Sequence, residues 1–207
     1  MITGFRWHLK GAQHFYGVKP DLSTFGKAMA NGFSVSAVCG KKKIMELGSI
    51  TNKTEERVFL LSTTHGAEMN SLSAFIETVK FIKKNKVIKN NWNYGAKLIE
   101  ESNKISKKIG INEYFNFSGI ACSPLFNCLD NNKNNSLEFR TLFIQEMLKH
   151  GILMPWVSIA YRHSDKTLKK TLIAMEKTLY VYKKALKYGV KNFLKGHVIK
   201  PVFRRFN

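Results

Sequence analysis

The stretch YGVKPDLSTFGKAMANGFSVSAVCG, residues 16–40, places one lysine, Lys27, among small residues. Gly26 precedes it, Ala28 follows it, and Asn31-Gly32 lies just beyond. Small side chains let a bulky group approach the backbone, and a lysine shielded from water would have its ammonium form disfavoured and its free amine available. A free amine is what a bond to a carbonyl cofactor requires. In a chain with 34 Lys and Arg residues, however, the default interpretation of any one lysine is a solvated surface residue.

Motifs on both sides of Lys27 extend the pattern: Thr3-Gly4-Phe5-Arg6, GAQHFYGV at residues 11–18, Pro20-Asp21-Leu22, Phe25-Gly26-Lys27 and Asn31-Gly32. Together they resemble the cofactor-lysine region of class III aminotransferases. Within that class the likeness is closest to glutamate-1-semialdehyde aminomutases and their relatives in surface-polysaccharide gene sets. A C-terminal signature at Lys200-Pro201-Val202-Phe203-Arg204 extends the resemblance over nearly the whole chain.

The resemblance implies an α/β fold of the fold type I class: the end of the large domain that binds pyridoxal 5′-phosphate, followed by a small α+β C-terminal domain. It implies that Lys27 forms a Schiff base with this cofactor and, as a free amine, moves a proton during amino-group transfer. It also implies that Thr63 reaches the cofactor phosphate of the neighbouring subunit, with Thr64 as the alternative if the register shifts by one residue. A small amino or carbonyl compound would be the substrate, and the intact enzyme would be a homodimer.

The family pattern also predicts that other parts of the enzyme lie outside this sequence. The acid that pairs with the pyridine nitrogen would stand two residues before Met1, and the first half of the enzyme would precede it. We therefore expect the C-terminal part of a larger transaminase or aminomutase. The alternative is a catalytically inactive truncated protein that binds pyridoxal phosphate weakly or only packs against a partner.

Other polar residues near these motifs leave more than one interpretation open. His65 follows the predicted phosphate threonine, in a segment that departs from the family motif, and it is either a pocket residue or a structural one. Arg6 holds either a structural group or the substrate. Arg162-His163-Ser164 resembles the family's turn before the last helix, which favours a role in starting that helix.

A cytoplasmic location is the default expectation, because Met1–Arg6 shows no signal-peptide pattern. The net charge of +20 raises the possibility of nucleic-acid binding, but the lysines are dispersed and no nucleic-acid-binding motif is present, so we expect a solvated surface and no specific nucleic acid. The cysteines, Cys39, Cys122 and Cys128, form no C-x-x-C pair, and we expect small buried or half-buried thiols. The scattered histidines predict no metal, and no apolar run predicts a membrane span.

Hydrophobic spacing predicts helices and strands in alternation. The predicted helices cover residues 41–47, a segment from Met69 with a buried face, 87–109, 137–150 and a last helix from Ser164 to Gly189. The predicted strands cover residues 33–38, 57–62, 114–120, 125–129 and 152–154. We expect a large-domain part at residues 1–85, a connecting helix at 86–109 and a small domain at 110–207.

Overall fold

The computed structural model of the chain describes residues 3–51, 56, 64, 66 and 68–200. The helices and strands in these residues are α1 (Ala12–Phe15), β1 (Leu22–Phe25), β2 (Ala37–Gly40), α2 (Lys42–Met45), α3 (Met69–Lys84), α4 (Val87–Ile109), β3 (Phe115–Ile120), β4 (Ser123–Cys128), α5 (Leu137–Lys149) and α6 (Asp165–Tyr188). The chain forms two compact units, Met1–Asn90 and Asn91–Asn207, and the division falls inside α4. The three-part division into residues 1–85, 86–109 and 110–207 stays a prediction.

An antiparallel hairpin of β1 and β2 organises the first unit. Leu22 lies opposite Gly40 at one end, and Phe25 lies opposite Ala37 at the other. Gly40 is required at its position, because a Cβ there would lie 2.4 Å from the Leu22 side chain and 2.5 Å from the Asp21 carbonyl oxygen. The hairpin is therefore tight at its open end, and its closed end is the connection that contains Lys27.

The second unit is built around the ring of Phe115, which is fully buried on β3. The rings of Phe143 and Tyr182 lie 4.8 Å and 5.9 Å from it, and that of Phe117 lies 5.8 Å away. Strands β3 and β4 pair antiparallel and bury alternate residues, as a sheet with one covered face requires. Helices α5 and α6 supply the other side of this core.

Polar contacts fix the β3–β4 hairpin against the helices of the second unit. On α4, the Asn103 side chain accepts a hydrogen bond from the Phe117 N–H at 2.7 Å and donates one to the Phe117 carbonyl at 2.9 Å. On α6, the Tyr182 hydroxyl lies 2.7 Å from the Leu129 carbonyl oxygen, to which it donates. Burial raises the pKa of this hydroxyl far above its usual range. The backbone groups of Phe117 and the Leu129 carbonyl are therefore satisfied inside the unit.

The predicted helices of the second unit are confirmed. Helix α6 begins after Ser164, whose side chain accepts a hydrogen bond from the Thr167 N–H in a capping box, and it ends at Gly189. Helix α5 begins after Ser136, which caps the Phe139 N–H. The predicted β3–β4 hairpin is also confirmed. Residues 152–154, which were predicted as a strand, form none.

The first unit departs from the predictions in its burial. The strand expected at residues 33–38 is the shorter β2, and its Val38, Cys39 and Gly40 are exposed rather than buried. On α3, the predicted buried face includes Met69, 75% exposed, and Ile76, 53% exposed. The periodicity is helical as predicted, and the face is covered in part: Ile82 is buried, while Leu72, Phe75 and Val79 are half-buried. The strand predicted at residues 57–62 lies outside the described residues.

Candidate active site

Lys27 lies directly after β1, in the connection that leads to β2. It opens a single 3₁₀ turn, Lys27–Met29, in which the Met29 N–H donates to the Gly26 carbonyl at 3.1 Å. Met29 is 5% exposed and Ala30 is 2% exposed, so the floor of this turn is packed. The turn that begins at Lys27 therefore ends in buried residues.

The backbone of this turn is strained at Lys27. Its φ angle is 49°, and Asn31 and Gly32 follow with φ angles of 48° and 122°. The left-handed conformation costs a residue with a side chain about 1–2 kcal/mol, and asparagine and glycine tolerate it best. A lysine has no such tolerance, and strained backbones of this kind cluster at functional sites. Lys86 of the same unit also has a positive φ angle, 51°, so the strain marks Lys27 without being unique to it.

Three aromatic rings support the end of β1 where Lys27 begins. The rings of Phe5 and Phe25 meet edge to face with centroids 5.8 Å apart, and the Phe75 ring on α3 lies 5.9 Å from Phe5. Gly4 allows this contact, because a Cβ there would lie 2.9 Å from the Phe25 ring. The Thr3-Gly4-Phe5-Arg6 motif is therefore packed against the residue that stands two positions before Lys27.

The side chain of Lys27 is exposed, and no carboxylate among the described residues pairs with it. The expectation that Lys27 is shielded from water is therefore not met within this chain. Gly26, Ala28 and Ala30 pack beneath the backbone, but they are too small to cover a lysine amine. The amine is accessible to an aldehyde, which covalent attachment of a carbonyl cofactor requires, but the described residues do not shield it from water.

The predicted phosphate-binding threonine, Thr63, lies outside the described residues, as does His65. Its alternative, Thr64, and the nearby Gly66 are exposed residues in turns. Glu68 occupies the N-cap position of α3. The role of Thr63 towards the cofactor phosphate and that of His65 stay predictions.

The remaining candidate residues lie in the two units separately. Arg6 is half-buried, and its N–H donates to the Thr3 carbonyl at 3.3 Å in a turn, so its contact with a substrate stays a prediction. Ser164 caps α6, which confirms a helix-starting role for this turn. His163 accepts a hydrogen bond at Nδ1 from the Ala160 N–H, and its ring lies 5.3 Å from that of Tyr94 on α4.

A stacked pair of imidazoles, His8 and His14, was not predicted from the sequence. Their ring centroids are 4.0 Å apart, and the Lys10 N–H donates to Nδ1 of His8 at 3.0 Å. Burial, followed by the charges of His14 and Lys10, lowers the pKa of His8. Neither histidine lies in a strand, and the turns between Gly4 and α1 bring the two rings together.

The described residues contain neither a metal-binding cluster nor a membrane-spanning helix. No group of three or more His, Cys, Asp or Glu side chains in the described ranges could hold a metal ion. Within the same ranges, no helix is long and apolar enough to cross a membrane.

Comparison with known families assigns the chain. The family model for class III aminotransferases matches residues 3–172, which include Lys27, and the chain belongs to this family. The family predicted from the motifs around Lys27 is thereby confirmed.

Individual relatives show both the likeness and its extent. The chain is 32% identical to the 3-aminobutyryl-CoA aminotransferase of Cloacimonas acidaminovorans, over 89% of this chain and 43% of that protein. It is 32% identical to the glutamate-1-semialdehyde 2,1-aminomutase of Fusobacterium nucleatum, over 85% of this chain and 42% of that protein. The chain thus spans less than half the length of these curated relatives.

Solved structures show the fold. The FumI protein of Sphingopyxis sp. MTA144, in its PLP internal aldimine form, matches with a TM-score of 0.74 and 22% identity, over 89% of this chain and 42% of that one. An omega-transaminase from Sphaerobacter thermophilus matches with a TM-score of 0.73 and 17% identity, over 86% of this chain and 42% of that one. The predicted α/β fold of type I, in its C-terminal part, is confirmed.

Proposed function

We propose that this chain carries the cofactor lysine of a transaminase or aminomutase that depends on pyridoxal 5′-phosphate, and that Lys27 binds the cofactor covalently through Nζ. The observation that carries the proposal is the strained turn at Lys27, with a φ angle of 49° on a packed floor and an accessible amine above it. The family match, which spans this turn, supports the same assignment.

When bound, pyridoxal phosphate supplies an electron sink that weakens the bonds to the substrate carbon that carries the amine. The role of this chain's own residues would be to hold a proton and to move it. As a free amine, Lys27 Nζ would be the base that takes the proton from the substrate carbon and returns it elsewhere. The Phe5–Phe25 contact keeps the start of this turn in place, so that the amine stays near one position.

The other parts of the assignment belong to the same proposal. Thr63 would supply a hydroxyl to the cofactor phosphate. The substrate would be a small amine or amino acid with its carbonyl partner, since the relatives include both an aminotransferase and aminomutases. The whole enzyme would be a cytoplasmic homodimer.

One observation favours the alternative that this chain is inactive by itself. Lys27 is exposed, whereas a base that moves protons selectively works best where water is excluded. The exposed apolar residues Met69 and Ile76 on α3 also show a face that the described residues leave uncovered. A chain of this kind would bind the cofactor weakly or only pack against a partner.

The test is to mix the full chain with one equivalent of pyridoxal phosphate, record the visible spectrum, trap the adduct with borohydride and map the label by peptide mass. We expect most of the label on Lys27, and we expect Lys27→Ala to remove both the label and the absorption band. Lys42→Ala is the matched control, because Lys42 is an exposed lysine of the same unit on α2. An even spread of label over the exposed lysines would overturn the assignment.

An assay of amino transfer distinguishes an active enzyme from a chain that is inactive by itself. Labelling at Lys27 together with amino transfer to a 2-oxo acid supports the enzyme. Labelling without transfer supports a chain that binds the cofactor but is catalytically inactive by itself. Absence of specific labelling would leave only the alternative in which the chain packs against a partner without binding the cofactor.

A further inference from the structure

A basic groove runs between the end of α5 and the first half of α6, inside the second unit. Five basic side chains line it: His150, Lys166, Lys169, Lys170 and Lys177. Its floor is apolar and consists of Ile173 and Ala174, and its volume is about 320 Å³. Among the described residues that line this groove, none is acidic.

The lysines of the basic groove belong to one face of α6. Positions 166, 169, 170, 173, 174 and 177 recur at helical spacing, so the lysines form a stripe about 16 Å long at 1.5 Å per residue. Across the groove, a Cβ built on Gly151 would lie 3.6 Å from Lys170 Nζ, which places this ammonium group beside the end of α5. The stripe and the end of α5 are therefore the two walls of the groove.

The charges of this groove are not balanced within the described part of the chain. None of the four lysines forms an ion pair with a described carboxylate. A neighbouring groove between α4 and α6 shares Lys169 but is also lined by Glu100, Glu101, Asp165 and Glu176. There the carboxylates offset the lysines: Asp165 pairs with Lys97 and Glu176 pairs with Lys108, although Lys169 forms no ion pair with a described carboxylate. Abundant lysine in the chain does not by itself produce an unpaired cluster, since the adjacent groove of the same unit is neutralised.

We propose that the basic groove binds a small anion that carries two or three linked phosphate groups. Like charges that face one cavity repel each other, and an anion of high charge density removes this repulsion. A volume of about 320 Å³ matches the small end of ligand sites in proteins. The apolar floor at Ile173 and Ala174 suits an organic group attached to the phosphates, so the source is either inorganic triphosphate or a nucleoside triphosphate.

The test uses the full chain at about 0.15 M salt, where the screening length is about 8 Å and dispersed surface charge contributes little. Inorganic triphosphate and ATP without added metal are titrated separately by calorimetry. The groove variant is K166Q/K170Q/K177Q, which leaves Lys169 in place because it lines both grooves. The matched control is K184Q/K187Q/K191Q, which removes the same charge from exposed lysines outside the groove. Circular dichroism compares the folding of both variants with that of the wild type.

We expect saturable binding of one triphosphate, weakened about tenfold or more in the groove variant and less than about twofold in the control. Equal affinity for triphosphate and ATP would show that the triphosphate group alone is sufficient for binding. Tighter binding of ATP would show that the groove prefers a nucleotide. Both results support the site. An equal loss in the two variants would show binding to the overall charge of the chain and would overturn the proposal. Absence of saturable binding in the wild type would also overturn it.

Discussion

The Phe5 ring contacts the Phe25 ring edge to face, with 5.8 Å between their centroids and 62° between their planes. Phe25 is the last residue of β1 and stands two positions before Lys27. On its other side the Phe5 ring meets Phe75 of α3 at 5.9 Å. One side chain thus joins the Thr3–Arg6 motif, the end of β1 and α3. The position of the lysine turn depends on an aromatic contact that lies far from the lysine in sequence.

Replacing Phe5 by alanine should loosen the Lys27 turn. The ring is half-buried, so the loss in free energy of unfolding should be about 1–2 kcal/mol, below the range for fully buried phenylalanines. Hydrogen exchange of the β1 and β2 amides measures the local effect, and borohydride trapping measures the share of pyridoxyl label on Lys27. F5L keeps most of the apolar volume and is the control. Unchanged exchange in F5A would show that Phe75 and Phe25 hold the turn without it.

The second unit was predicted well because its signals are local. Large apolar residues at steps of three and four residues predicted α6, and Ser164 and Gly189 predicted its two ends. The alternation of Phe115 and Phe117 marked β3 in the same way. Each of these features is satisfied by residues within the same unit, so the local pattern and the final structure agree.

The first unit was predicted less well because its pattern is not satisfied by its own residues. Helix α3 has the right period, but Met69 and Ile76 remain exposed, and β2 is a strand with exposed residues rather than a buried one. Periodicity states which residues share a face and not what covers that face. For the site, small residues around Lys27 predicted a turn, while the φ angle of 49° had no sequence signal, because lysine is not a left-handed residue by preference.

The His8–His14 stack should make the first unit sensitive to mild acid. The pKa of His8 is lowered, first by burial and then by His14 and Lys10. The folded state therefore binds this proton less readily than the unfolded chain does, whose histidine titrates near 6.5. The stability contributed by neutral His8 is complete above about pH 6.5 and is lost as the pH falls through the lowered folded value.

Urea denaturation between pH 5 and pH 8 tests this dependence. H8N keeps an acceptor for the Lys10 N–H but does not titrate, so its stability should vary less over this range than that of the wild type. H14Q removes the repulsion between the two rings, and NMR titration of His8 should then give a higher midpoint. An H8N profile parallel to that of the wild type would assign the acid sensitivity to other groups.

Gly95 on α4 should not tolerate alanine, although alanine normally favours a helix. A Cβ at this position would lie 1.6 Å from the Ala121 carbonyl oxygen and 2.7 Å from the Ile159 side chain. The backbone of the 121 turn must therefore move, at a cost of about 3 kcal/mol or more. Helix propensity alone predicts the opposite sign, a gain of about 1 kcal/mol.

The exposed neighbour Ala96 supplies the matched control. A96G should lose about 1 kcal/mol through propensity alone, so G95A should be the more damaging of the two changes. Chemical denaturation of both variants decides the point. If G95A were more stable than the wild type, the close approach of α4 to residue 121 would be wrong.

The three thiols should differ sharply in reactivity. Cys39 is exposed on β2, whereas Cys122 is fully buried and Cys128 is 4% exposed. The sequence predicted buried or half-buried thiols, which is wrong for Cys39, because β2 has no covering element among the described residues. A disulfide reagent at pH 8 should react rapidly with one thiol per chain and slowly with two. C39S should abolish the rapid phase, and a rapid phase that persists in C39S would contradict the burial of the other two.

The buried thiol of Cys128 also predicts the alkaline limit of the second unit. Burial raises the pKa of Cys128 to about 12, against the opposing effect of Arg140. The folded state therefore holds this proton more tightly than the unfolded chain, whose thiol has a pKa near 9.0. The stability contributed by the neutral thiol is fully present below about pH 9 and is lost as the pH rises towards 12, because only the unfolded chain can release the proton.

C128A should lower stability at pH 8 through a small cavity but should flatten the decline between pH 9 and pH 10.5, as measured by urea denaturation at each pH. C39A is the control, since an exposed thiol on β2 should leave that slope unchanged. An equal slope in C128A and the wild type would place the alkaline sensitivity elsewhere, and Tyr182, whose pKa burial also raises, would be the next group to replace.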